Sequence, residues 1–109
     1  MQYRDMRYAA RYPVDARVGE RRVRLTVVNV ASGGIRVAGL ENVSGAQAGS
    51  KVVVNLLDRL INATIVWKSN TLAGLRFDLP LSPRDIAVVR HAVGTWAEAE
   101  AGWASRELS

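Results

Sequence analysis

The run R-Y-A-A-R-Y-P-V, from Arg7 to Val14, holds two guanidinium groups four residues apart just ahead of a proline. A guanidinium is planar, permanently charged and rich in donors. It can grip two acceptors at once, whether two oxygens of a phosphate or the O6 and N7 of a guanine. Further along, Asn29 and Gly34 bracket the run N-V-A-S-G-G. The asparagine amide both donates and accepts, and a glycine at position 34 permits a positive φ or a close backbone approach. The arginines are unevenly spread. Arg4, Arg7, Arg11, Arg17, Arg21, Arg22 and Arg24 all fall before Leu25, against Asp5, Asp15 and Glu20, in a chain of formal net charge +5. Their chemistry points to an anionic partner; the plainer reading is a solvated basic edge that keeps the protein soluble.

Catalytic chemistry is missing from the same residues. With no cysteine, disulfides, thiolate nucleophiles and cysteine-ligated zinc are excluded, and a reducing compartment, the cytoplasm, is expected. The one histidine, His91, lacks acidic neighbours in a zinc-binding spacing and is expected to be a partly exposed structural residue. Ser32 lies beside two glycines but outside a G-x-S-x-G frame. Asp78 and Asp85 form no evident acid and base pair, and Gly33-Gly34 is not followed by the Lys-Ser/Thr of a phosphate-binding P-loop. The expectation is a binding protein, not an enzyme, with no catalytic residue, no metal and no cofactor.

The elements that must position these residues are strands. Val14, Ala16 and Val18 alternate up to a turn at Gly19-Glu20-Arg21, and Val23, Leu25 and Val27 resume the pattern on the return. A glycine turn at residues 31–34 leads into Ile35-Arg36-Val37, ending at Gly39. A looser stretch rich in Asn, Ser and Gly follows, then strands at 51–57 and 60–68 joined near Asp58-Arg59, and a last strand at 72–77. Short meandering connections predict an all-β or mainly β fold, a small six-stranded antiparallel β-barrel, because closure removes exposed strand edges.

The period then changes. Ser82-Pro83-Arg84-Asp85 combines a capping serine, a proline at the first helical position and an acid three residues after the cap. Ile86, Val89, Val93 and Trp96 share one helical stripe, with Trp103 further along it, and this C-terminal α-helix is expected to close one end of the barrel. The 109 residues therefore divide into a basic arm at 1–12, a barrel at 13–79 and an amphipathic helix with its tail at 80–109, the proline marking the first border. No apolar run reaches the roughly 18 residues of a membrane span, and none follows the arginine-rich start as a signal peptide requires. No membrane insertion is expected.

Three segments taken together resemble one family. Arg7-x-x-x-Arg11 with Tyr-Pro-Val behind it, the run from Val28 to Ile35, and Ile65-Val66-Trp67 with Gly74-Leu75-Arg76-Phe77 resemble a PilZ domain in order and spacing, from about Met6 to Phe77. That resemblance implies a small barrel with a C-terminal helix that binds the bacterial second messenger cyclic di-GMP in the cytoplasm. It also implies that Arg7 and Arg11 are the RxxxR pair, which clamps guanines and phosphates from a flexible arm, often around an intercalated ligand pair. Asn29 and Gly34 match the family's second motif: Asp or Asn, any residue, Ser, two of any residue, Gly. Ala31 departs from it, standing where the family has serine, with Ser32 one residue late. One missing hydrogen bond corresponds to about 0.5–1.5 kcal/mol, roughly three- to thirteenfold in affinity, which weakens binding without abolishing it. Arg4, Arg36 and Arg76 are candidates for further ligand contacts, while Trp67 is expected to pack at the core or rim and Tyr8 and Tyr12 to pack the arm against the barrel.

The function expected is that of a cyclic di-GMP receptor or adaptor that relays the ligand level to a protein partner through its N-terminal arm. Two alternatives stand beside it. One is a degenerate PilZ-like module that works by protein contacts alone, for which Ala31 speaks. The other is a basic barrel that binds single-stranded nucleic acid. That function calls for exposed aromatics along the strands as stacking platforms, whereas Trp96 and Trp103 fall on the helix, so nucleic acid is the least expected partner.

Overall fold

In the computed structural model, which describes residues 6–92, six antiparallel strands close into a barrel. They are β1 (Tyr8–Val18), β2 (Arg21–Ala31), β3 (Gly34–Ala38), β4 (Lys51–Leu56), β5 (Arg59–Lys68) and β6 (Ala73–Phe77), in the spatial order β1-β2-β3-β6-β5-β4. A helix, α1, covers residues 83–92. Alternation with period two builds the wall. Val14, Ala16 and Val18 of β1, Leu25 and Val27 of β2, and Val52, Val54 and Leu56 of β4 are buried, while the residues between them lie nearer solvent. With Val30, Ile35, Val37, Ile65, Leu75 and Phe77 they form one continuous core, each large side chain contributing about 1.5–3 kcal/mol by burial.

The helix starts as its sequence predicts. Ser82 Oγ accepts a hydrogen bond from the Asp85 amide at 3.1 Å, and Asp85 Oδ2 accepts one from the Ser82 amide at 3.4 Å, a reciprocal capping box. The helix sets Val89, fully buried, and Ile86 against the core cluster. Three contacts fix it at the barrel end where β1 begins. Arg59 Nη2 lies 2.8 Å from Asp85 Oδ2, the Leu81 amide donates to the Ser32 carbonyl at 2.7 Å, and the Arg90 guanidinium sits 3.9 Å from the centre of the Tyr8 ring. Arg4 and the expected stripe positions Val93, Trp96 and Trp103 lie outside the described residues.

Two borders differ from the sequence expectation. Strand β1 begins at Tyr8, so residues 8–12, assigned above to the arm, form the first part of the wall, and Pro13 lies inside a strand. The fold tolerates it because β1 pairs with β4 only over Asp15–Val18. At Pro13 the strand has β2 alone as neighbour, with Thr26 opposite, and a proline is accepted where one side carries no ladder. The β4–β5 turn falls on Leu57 and Asp58, one residue earlier than expected. Their φ angles of 56° and 60° are the left-handed pair that a two-residue hairpin turn takes. For leucine that conformation costs about 1–3 kcal/mol, offset in part by the packing of Leu57 against the core.

Candidate functional site

Two candidate residues sit on strands whose alternation would carry them into the core, and in each case one inserted residue turns them out. On β2, Val27 pairs with Val37 and Asn29 with Arg36, leaving Val28 without a partner on β3. The buried phase then passes from Leu25 and Val27 to Val30, and Asn29 is left on the outer side. On β5, Ile65 pairs with Leu75 and Trp67 with Gly74, so Val66 is the extra residue, and Trp67 is 38% exposed instead of following Ala63 and Ile65 inward. A third bulge lies on β1, where Ala9 pairs with Asn29 and Tyr12 with Val27, setting Ala10 and Arg11 against Val28. Bulges bend the strand locally and re-aim side chains. Here they cluster around one patch of the wall.

That patch is a row of outer neighbours across four ladders: Ala9, Asn29, Arg36, Gly74 and Trp67. Arg7 Nη1 donates to Asn29 Oδ1 at 2.8 Å, which joins the two sequence motifs across 22 residues of chain. Arg7, Ala9 and Arg11 are exposed, while Tyr8, Ala10 and Tyr12 between them pack against the core. The four-residue spacing of the arginines therefore works through the two-residue period of a strand, which keeps both on one face. At the other end of the row the Arg36 guanidinium lies over the Trp67 ring, 5.9 Å from its centre, near the outer limit of a cation–π contact. The indole rests on Gly74, where a Cβ would run into the ring.

The glycine turn supports this face from one side. Gly34 pairs with Ala31 on β2 and with Arg76 on β6. A Cβ on Gly34 would run into the Leu75 carbonyl, so of the two uses foreseen for this glycine, close backbone approach is the one realised; its φ is not positive. The Ser32 and Gly33 carbonyls accept from the amides of Leu81 (2.7 Å) and Phe77 (2.9 Å), tying the turn to the segment that leads into α1. Ala31 is 1% exposed and lies outside the main core cluster.

The structure thus brings Arg7 and Asn29 into contact, sets Arg11 on the same face, and places Gly34 and Ala31 at the turn beside them. Arg76 is exposed one row away, between Gly34 and Thr64. Arg36, a candidate contact above, and Trp67, expected to pack at the core or rim, belong to the row itself. The signal for Trp67 in the sequence is the break in alternation at I-V-W, as V-V-N is for Asn29, where two apolar residues run together ahead of the side chain that turns outward.

The chain matches the PilZ domain family model over residues 2–94 and belongs to that family, whose members are receptor and adaptor domains of the cyclic di-GMP type. Its fold is similar to the solved structure of the Bacillus subtilis inhibitor of motility (MotI/DgrA), with a TM-score of 0.53 and 17% sequence identity, over 91% of this chain and 52% of that one. The chain thus spans about half the length of that protein. No curated protein matches the chain. Among the described residues no helix is long and apolar enough to cross a membrane, and no three His, Asp or Glu side chains gather as a metal site needs.

Proposed function

We propose that this chain is a receptor for cyclic di-GMP and that binding is read out through the segment that carries Arg7. The observation that carries the reading is the 2.8 Å hydrogen bond from Arg7 to Asn29, which unites the two family motifs on one outer face. A guanidinium has five donors, and this bond engages one nitrogen. A phosphate oxygen, or the O6 and N7 edge of guanine, competes for the same fork, and Arg11 meets the ligand from the same side. Trp67 with Arg36 extends the row as a flat surface on which a guanine can stack. The reporter role follows from where Arg7 stands, just before the first paired residue of β1. When ligand draws its guanidinium away from Asn29, the chain ahead of Tyr8 is refixed, and the Arg90–Tyr8 stack passes that change to α1. A protein partner that reads the arm or the helix completes the relay.

Isothermal titration with cyclic di-GMP, cyclic di-AMP and a short oligothymidine tests the assignment. Saturable binding of cyclic di-GMP with much weaker heats from the other two supports it. Ala31 in the serine position favours one second reading, a degenerate module that works by protein contacts alone, and silence toward all three probes would select that reading.

A further inference from the structure

On the other side of the barrel, the ladders of β2, β1, β4 and β5 carry two outward rows. One runs Arg22, Arg17, Val53 and Asn62; the other runs Arg24, Asp15, Asn55 and Leu60. An open groove of about 710 Å³ lies over them, lined by Arg17, Arg22, Arg24, Val53 and Leu60 among others. Arg17 stands directly opposite Arg22, and like charges facing each other across a ladder are destabilising. The carboxylate on this face, Asp15, is taken by Arg24 at 2.8 Å, and the other ion pair among the described residues, Arg59 with Asp85, lies elsewhere. Among the described residues, Arg17 and Arg22 are therefore uncompensated. Beside them Leu60 is 74% exposed. An aliphatic anchor among uncompensated arginines has the composition of a protein interface, in which arginine is enriched and apolar contact is ringed by polar groups.

We propose that this face docks an acidic segment of a protein partner, with carboxylates on Arg17 and Arg22 and an aliphatic side chain against Leu60 and Val53. Charge complementarity selects the sign of the partner. Among the described residues no aromatic lines the groove, which favours a protein over a nucleic acid, whose bases call for flat stacking platforms. Because Arg7, Asn29, Arg36 and Trp67 belong to a different row, ligand and partner can be held together. The inference rests on the adaptor reading above and names the chemistry of its partner.

The test uses fluorescence anisotropy at one fixed salt concentration with four probes: a peptide of alternating glutamate and leucine, its glutamine counterpart, a short oligothymidine, and vesicles containing phosphatidylglycerol. The glutamate peptide is expected to bind and the glutamine peptide not to. Arg17→Glu with Arg22→Glu should weaken the glutamate peptide by about tenfold or more, Leu60→Ser should weaken it further, and Arg84→Glu on α1 should leave it unchanged. Equal loss from Arg84→Glu, or tighter binding of oligothymidine or vesicles through the same two arginines, would overturn the proposal. Titration of cyclic di-GMP into the same proteins separates the two failures. Peptide silence in a protein that binds cyclic di-GMP rejects the docking face alone, whereas peptide binding without any response to cyclic di-GMP rejects the receptor.

Discussion

Gly34 and Gly74 pose the same local problem, since a methyl group at either would collide with a neighbour, yet the neighbours differ in kind. At Gly34 the obstacle is the Leu75 backbone carbonyl; at Gly74 it is the Trp67 indole, which is 38% exposed and free to swing outward. Gly34→Ala must part β3 from β6 and is expected to cost about 1–3 kcal/mol, read as a lowered denaturant midpoint with an unchanged slope. Gly74→Ala is expected to fold with nearly wild-type stability but to lose cyclic di-GMP affinity, because the indole leaves the row. Equal destabilisation by both would contradict this account. Ala31→Ser is expected to tighten the ligand about fivefold, the net worth of one hydrogen bond. Because position 31 is buried, the same change should lower the melting point of the ligand-free protein, and calorimetry paired with thermal melts checks both. The types and spacing of Arg7, Arg11 and Asn29 were legible from the sequence. The partnership of Arg36 with Trp67 was not, because strand residues show their face only once the register is known.

At the scale of elements, alternation and turn signals placed all six strands and the capping box placed the helix. Three bulges and a proline escaped it. Alternation assumes an unbroken period of two, and one inserted residue at Val28 or Val66 reverses every side chain beyond it. Pro13 looked like a border because a proline cannot donate to a ladder; only the shortness of the β1–β4 pairing shows why it fits. The shift of β1 back to Tyr8 changes what ligand can order. Trypsin is expected to cut slowly after Arg11 with or without cyclic di-GMP, since that residue already lies in β1, and to cut after Arg7 more slowly once ligand is added. Equal rates after Arg7 in both states would remove the arm from the mechanism. The junction of α1 with the barrel is sensitive to acid. The Arg59 guanidinium beside Asp85, assisted by hydrogen bonds with Ser82, holds its carboxyl below the ordinary value. A depressed carboxyl contributes stability above its ordinary value and loses it as pH falls through the lowered one. Wild type should therefore melt above Asp85→Asn at neutral pH, with the gap closing in strongly acidic buffer; a gap independent of pH would mean that the bridge does not hold the helix.

Across the whole molecule, chemistry is distributed around the wall of a closed barrel. One side carries the motif row and the other the uncompensated arginines, with β1, β2 and β5 contributing to both. The basic charge seen in the sequence is thus two features: Arg7 and Arg11 belong to the face of the motif row, Arg17 and Arg22 to the groove. Their separation could not be read from the order of residues, because it depends on which ladders close the barrel. The receptor assignment is tested most directly by titration calorimetry of cyclic di-GMP into wild type, Arg7→Ala and Arg11→Ala, each with a thermal melt. The account predicts saturable binding by wild type, a loss of about tenfold or more in each variant, since a positioned charge-assisted contact is worth roughly 1.5–3 kcal/mol, and melting points close to wild type because both arginines are exposed. A folded wild type that gives no heat with ligand in large excess, or variants that bind as tightly as wild type, would contradict it.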